Sequence, residues 1–219
     1  MPDIKRWNFP LSQTRSLAPS KPFWGLFGLW ILACVIAFTG LGNLPLRDFD
    51  ESTVARVAFE LSQKEGLDRL LPTLWGANYL NKPPGLHWLI AAFLNLTSTG
   101  TQSWVSLPSE FYLRAVPALL STFVVPIGGW IQWYLRPKDA TASIATGAIL
   151  LTLLPLARHG RLAMLDGPQL SAMALLWLLL IAIDESRLDK WRLLGAGMTS
   201  SYLLLLKAPF LLPALVAGA

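Results

Sequence analysis

Residues 47–84, RDFDESTVARVAFELSQKEGLDRLLPTLWGANYLNKPP, form a polar interval in an otherwise oily chain. Asp48-Phe49-Asp50-Glu51-Ser52 opens it and Asn81-Lys82-Pro83-Pro84 closes it. Immediately before it, Phe23 to about Leu41 is apolar and carries no charge. At about 1.5 Å of rise per residue, a helix of that length matches the roughly 30 Å hydrocarbon thickness of a bilayer. The run is longer than a signal-peptide core and no small-residue cleavage pattern follows it, so it reads as a retained first transmembrane helix. A charged interval directly after such a span, with further apolar runs downstream, predicts a reactive site at one face of a membrane.

The composition agrees. Hydrophobic residues make up 53% of the chain and charged residues 14%, against about 25% charged in ordinary soluble domains. The mean hydropathy is +0.48. The net charge of +5 comes from basic residues scattered between apolar runs, without a basic face or a nucleic-acid motif. It is therefore better explained by membrane orientation than by DNA or RNA binding. Cys34, the sole cysteine, lies in an apolar run, where a thiol is ordinarily inert. His87 and His159 lack HExxH or CxxC partners, so no metal motif is present.

Within the interval, Val54, Val57, Ala58 and Leu61 recur at helical spacing. They predict a short amphipathic helix from near Ser52 that lies along the membrane surface and ends by Gly66. Leu67 to Asn81 reads as irregular, with Pro72, Gly76 and Asn78 as turn-formers. Gly85 to about Leu96 is apolar but short for a span, which suits a re-entrant or interfacial helix. Further spans are expected at about Leu113–Leu135, Ala140–Ala157 and Pro168–Ile183, with a last apolar stretch from about Leu193 to Ala219. That stretch stops abruptly and reads as the end of a fragment. The expected fold is all-α, a multi-pass transmembrane helical bundle with a surface helix and an irregular loop after the first span.

Orientation follows from the basic residues. If Gly85 to Leu96 does not cross, the inside segments are the tail 1–22, the loop Arg136-Pro137-Lys138-Asp139, and Asp184 to Arg192. These hold most of the short-loop Lys and Arg. The loop 42–84, Arg114 and the turn Arg158 to Asp166 then lie outside the cytoplasm. The remainder, 23–219, is one transmembrane domain.

This topology gathers Asp50, Glu51, Lys82, Arg114, Arg158, Arg161 and Asp166 at one face, with Lys207 joining from the last stretch. Charges at membrane depth cost about 2.5 to 3.5 kcal/mol on insertion scales, so their retention calls for a partner or a task. Carboxylates beside several cations suit transfer from a phosphate-linked donor. The carboxylate accepts a proton from the attacking hydroxyl, and Lys and Arg hold the departing phosphate. Each residue also has a structural reading. Asp50 and Asp166 precede helices and could cap them. Arg114, Arg158 and Arg161 could snorkel to headgroups. Lys82 is presented by the stiff Pro83-Pro84 pair, and Lys207 lies deep among leucines.

At these positions the chain resembles the polyprenyl-phosphate-dependent glycosyltransferases of the GT-C fold, in particular the bacterial transferases related to protein O-mannosyltransferases and to the aminoarabinose transferase that modifies lipid A. Four pieces carry the resemblance in order: Asp50-Glu51 with the following helix; Tyr79-Leu80-Asn81-Lys82-Pro83-Pro84 with Trp88; Arg158-His159-Gly160-Arg161 through Asp166; and Leu206-Lys207-Ala208-Pro209. The resemblance implies that the acidic pair Asp50-Glu51 is catalytic, with Asp50 the base facing the acceptor. It places Lys82 and Lys207 near the donor phosphate, with Arg158, Arg161 and Asp166 shaping the same cavity; Arg114, gathered there by the topology, is expected to bind substrate as well. The implied reaction is inverting sugar transfer from a polyprenyl-phosphate donor to an extracytoplasmic hydroxyl. Asn81 stands where relatives that modify lipid A have an acidic residue, and Ala208 stands where glycine is usual. No metal ligand set is implied, and a divalent cation is the one cofactor left open. The match spans only the N-terminal part of full-length members. A transporter or flippase for an anionic lipid, and a non-catalytic truncated paralogue, are the rival expectations.

Overall fold

A computed structural model describes residues 22–47, 49–97, 107–137, 139–182 and 190–207. The tail 1–21, Asp48, Lys138, residues 183–189 with their expected charges, and the stretch after Lys207 lie outside the described residues. The described chain is all-α apart from one two-stranded hairpin. Its helices are α1 (Phe23–Phe38), α2 (Asp50–Ser62), α3 (Gly85–Leu96), α4 (Glu110–Thr122), α5 (Val124–Leu135), α6 (Ala140–Thr152), α7 (Leu154–His159), α8 (Asp166–Ile181) and α9 (Lys190–Lys207).

α4 and α5 are one rod with a break at Phe123. Pro126 has no N–H to return to Thr122, so the ladder loosens there. Together they run over Glu110–Leu135, the one described helix long and apolar enough to cross a membrane. α1, α3, α6 and α8 are apolar but shorter. The expected span Ala140–Ala157 is instead two helices, because Leu153 turns extended (ψ 111°) and α7 restarts after it with Pro155, which has no N–H to continue the ladder from α6, in its first turn.

Contacts between helices define the bundle. α5 packs on α6 and α8, α8 on α9, and α1 on α4, α5 and α6. Glycine allows two of the closest crossings. A Cβ on Gly129 would come 2.9 Å from the Ser143 carbonyl, and one on Gly85 2.8 Å from the Leu205 carbonyl. At one end of the bundle Arg114 of α4 and the Ala163 amide before α8 reach Glu51 of α2, Arg161 of that same turn reaches the Thr39 carbonyl after α1, and Lys207 at the end of α9 lies against Asp166 at the start of α8.

Two expectations for the polar interval are revised. α2 begins at Asp50 rather than Ser52, and it does not lie open on a surface. Glu51, Val54, Ala55 and Val57 through Ser62 are all buried. One side of α2 packs into the main core with Leu86, Leu113, Leu176 and Leu203, while Val57 and Leu61 pack with Tyr79 and Ala91 beside α3. Leu67 to Asn81 is ordered as well. A 3-10 turn spans Gly66–Leu70, and strands β1 (Thr73–Leu74) and β2 (Ala77–Asn78) form a hairpin around Trp75-Gly76. Both turn residues have positive φ, 55° and 79°, as the tight hairpin turn that matches strand twist requires.

The hairpin is pinned by Glu60, whose signal lay in the sequence as Arg56 one helical turn earlier. Arg56 Nε donates to Glu60 at 2.8 Å. Thr73 Oγ1 and the Trp75 and Gly76 amides donate to the same carboxylate at 2.8, 2.8 and 3.2 Å. Burial tends to raise the Glu60 pKa, but these donors, Arg56 foremost, outweigh it and hold the carboxyl below its ordinary value. Arg56 also stacks on the Trp75 ring at 4.2 Å.

Candidate active site

The two acidic residues that open α2 go to opposite destinations. Neighbours on an α-helix are rotated by about 100°, so one reaches outward while the other turns in. Phe49, with the unusual φ of 38°, sets the entry of the chain.

Glu51 turns inward. Arg114, in the first turns of α4, donates from Nε and a terminal nitrogen to the two Glu51 oxygens at 2.7 and 3.0 Å. The Arg47 and Ala163 amides donate to the same carboxylate at 2.7 and 2.9 Å. The rest of the guanidinium is satisfied by the carbonyls of Leu41, Leu44 and Pro45. Both side chains are almost fully buried. Burial raises the Glu51 pKa, but Arg114 and the two amides more than offset it and leave the carboxyl below its ordinary value. This pair joins the loop after α1, α2, α4 and the turn before α8. Arg114 therefore does not snorkel, and no Glu51 oxygen lacks a donor.

Asp50 turns outward and pairs with Lys82 Nζ at 2.9 Å, both side chains partly exposed. The residue that caps α2 is Phe49, and it makes no side-chain capping bond; Leu165 holds that position for α8. The capping expectation for Asp50 and Asp166 is thus replaced. Each is the first residue of its helix, and its carboxylate faces a lysine. Lys207, at the end of α9, lies 3.9 Å from Asp166. Asp50, Lys82, Asp166 and Lys207 line one cleft of about 90 Å³ with Val54, Met164 and Leu165. Two helix N-termini, α2 and α8, open toward it, and their partial positive charge adds to that of the two lysines.

A second space adjoins it. Asp50 and Met164 also line a groove of about 660 Å³ bounded by Leu44, Arg47, Glu51 and His159. Arg47 and Leu162 lead on to a third, about 340 Å³, walled by Arg114, Arg158 and Arg161 against Ile36, Leu41 and Leu154. The last two are of ligand size, whereas the cleft admits only a small reacting group. The turn carrying Arg158 and Arg161 is held because Gly160 and Gly167 both press on Ser121, where side chains would collide. Arg161 donates to the Thr39 carbonyl and so fastens the turn to the end of α1.

All eight site residues expected from the sequence thus lie at one end of the bundle, in three groups. Asp50, Lys82, Asp166 and Lys207 surround the cleft, while Arg158 and Arg161 line the third space beyond the groove. Glu51 and Arg114 are committed to each other. Arg47, which bridges the two larger spaces, was missed, because an exposed arginine in a loop carries no local signal. Among the described residues no group of three or more His, Cys, Asp or Glu converges to hold a metal ion.

The chain matches no protein-family model, no curated protein and no solved structure.

Proposed function

We propose that this chain is a multi-pass membrane glycosyltransferase, or the N-terminal part of one, moving a sugar from a polyprenyl-phosphate donor to a hydroxyl acceptor outside the cytoplasm. The observation that carries the reading is the cleft at which Asp50–Lys82 and Asp166–Lys207 meet, from three helix ends and the loop before α3. In this reading Asp50 accepts the proton of the acceptor hydroxyl as its oxygen attacks the anomeric carbon. The bond from that carbon to the phosphate oxygen breaks, its electron pair leaves with the polyprenyl phosphate, and the sugar inverts. Lys82 and Lys207 exchange their carboxylate partners for the phosphate oxygens and stabilise the leaving charge.

The membrane topology belongs to the same reading. Helix directions put Arg136, Lys190 and Arg192 at the end opposite the cleft. The exposed rings of Trp24, Trp191 and Tyr134 sit at that end too, as interfacial aromatics do. The basic end would face the cytoplasm and the cleft the other side. α4–α5 crosses alone, and the shorter α1, α6–α7, α8 and α9 cross with help from flanking loops and local thinning of the bilayer.

The test is transfer by purified protein in lipid nanodiscs, supplied with polyprenyl-phosphate sugars suggested by mass analysis of lipid-linked sugars that accumulate when the gene is deleted. Asp50→Asn is expected to lower kcat by about 10² or more, the usual scale of general-base catalysis. Turnover unchanged by that substitution would overturn the mechanism, and a deletion strain with unaltered lipid-linked sugars would overturn the donor class.

A further inference from the structure

The segment between α2 and α3 has inverted polarity. Leu67, Leu70, Leu71, Trp75 and Leu80 point outward, 56% to 82% exposed. Many of its polar groups are nonetheless answered from within the protein. Glu60 takes the hydroxyl of Thr73 and the amides of the hairpin tip. Lys64 Nζ donates to the Leu71 carbonyl at 2.6 Å, and Arg69 Nε returns to the Lys64 carbonyl. Trp88 of α3 donates to the Arg69 carbonyl at 2.9 Å, and the Tyr79 amide closes on Pro72.

A water-facing loop has no need of this arrangement, since water satisfies its backbone and disfavours its leucines. A segment that meets lipid needs both features, backbone polar groups answered from within and apolar side chains outside. α3, which Trp88 ties to this segment, exposes apolar side chains as well, Leu89 and Leu96. The tip residue is tryptophan, the side chain enriched at bilayer interfaces. Its ring is held from behind by Arg56 in a left-handed backbone conformation that few bulky residues adopt. Glu65 and Asp68 also reach outward, which fits seating at the headgroup boundary rather than in the hydrocarbon centre.

We infer that residues 66–80 are a lipid-interface anchor, inserting Trp75 and the flanking leucines into the bilayer leaflet on the side of the Asp50 cleft. The inference rests on the membrane reading above and adds that the loop over α2 is itself seated in lipid. That seating would fix the height of α2, and of Asp50 at its start, relative to headgroup level.

The test is spin labelling in nanodiscs of mixed neutral and anionic phospholipid, in a Cys34→Ala background. Labels are placed singly at Trp75→Cys, Leu80→Cys and Leu67→Cys, with Ile149→Cys on the outer face of α6 as the reference. Collision with oxygen, which favours lipid, and with a water-soluble nickel chelate is read at each. The expected result is higher oxygen than nickel accessibility at Ile149→Cys and at two or more loop sites, the loop sites being shallower. A lipid-exposed Ile149→Cys with nickel-accessible loop sites would overturn the anchor alone. Loop sites closed to both reagents would mean a protein partner covers them, which also overturns it. Nickel access at Ile149→Cys as well would overturn the membrane reading itself. Three independent loop positions guard against a single label that disturbs the hairpin.

Discussion

Arg114 grips Glu51 through two nitrogens, at 2.7 and 3.0 Å, across 63 residues of sequence. The pair is buried and every polar atom on the carboxylate has a donor, so breaking it strands a charge in a medium that solvates it poorly. Loss of one partner from such a pair typically costs about 3 to 5 kcal/mol. Arg114→Ala and Glu51→Gln are expected to lower the unfolding midpoint strongly in detergent thermal scans. Arg114→Lys is expected to rescue little, because a point ammonium cannot make the forked contact and reach three carbonyls at once. A midpoint unchanged in Glu51→Gln would show that the pair does not hold the interval.

The neighbouring carboxylate should behave in the opposite way. Asp50 and Lys82 are partly exposed, and pairs of that kind contribute about 1 kcal/mol or less. Asp50→Asn should leave the melting midpoint close to wild type while lowering kcat by about 10² or more. The two adjacent substitutions, compared by thermal scan and by turnover, separate a structural acid from a chemical one.

His87 gives the stability a pH dependence. It is fully buried beside the Tyr79 ring, and neither ring nitrogen has a well-formed hydrogen bond to any of the described residues. Burial pulls its pKa from 6.5 down to about 4, aided by the Lys82 charge and only partly offset by the Pro83 backbone. Since the folded value lies below the unfolded one, the contribution is complete above about pH 6.5 and declines as pH falls toward 4. At about 1.4 kcal/mol per unit, the decline totals roughly 3 kcal/mol. His87→Phe should flatten the midpoint across that window. Glu51 and Glu60, whose folded pKa values lie below 4.5, lose their contributions only at lower pH, so a slope that persists in His87→Phe would mean another group is responsible.

Removing the Glu60 carboxylate should release the hairpin without unfolding α2. Glu60→Ala leaves three donors of the Thr73–Gly76 turn without their acceptor, a loss of about 1 to 3 kcal/mol. Hydrogen exchange at residues 73–78 should accelerate about 10- to 100-fold, while amides near Val57 keep their protection. Equal acceleration in both would indicate that the hairpin and α2 open together.

Two glycines make a controlled pair. A Cβ on Gly85 would meet the Leu205 backbone at 2.8 to 3.0 Å, where nothing flexible can yield, whereas one on Gly28 would have nothing within 4 Å among the described residues. Gly85→Ala should destabilise by about 1 to 3 kcal/mol, and Gly28→Ala should leave the midpoint unchanged or raised. Equal effects would mean that α3 and α9 do not approach so closely.

The sequence by itself determined where helices form and which residues share an end of the bundle. Apolar runs broken by polar turns mark the helices, and a change of direction at each break returns Asp50, Lys82, Asp166 and Lys207 to one level. The limits of α3, Gly85–Leu96, were legible in its uninterrupted apolar run. Tertiary structure alone decided which charge meets which. Glu51 and Asp50 look alike as sequence, yet helical rotation sends one to Arg114 and to the Ala163 amide, 63 and 112 residues away, and the other to Lys82. It also decided that α2 is enclosed rather than laid on a surface. Its apolar stripe was visible, but the segments that cover its other sides come from α3, α4, α8 and α9. Burial is a property of all of them together, and no local periodicity encodes it.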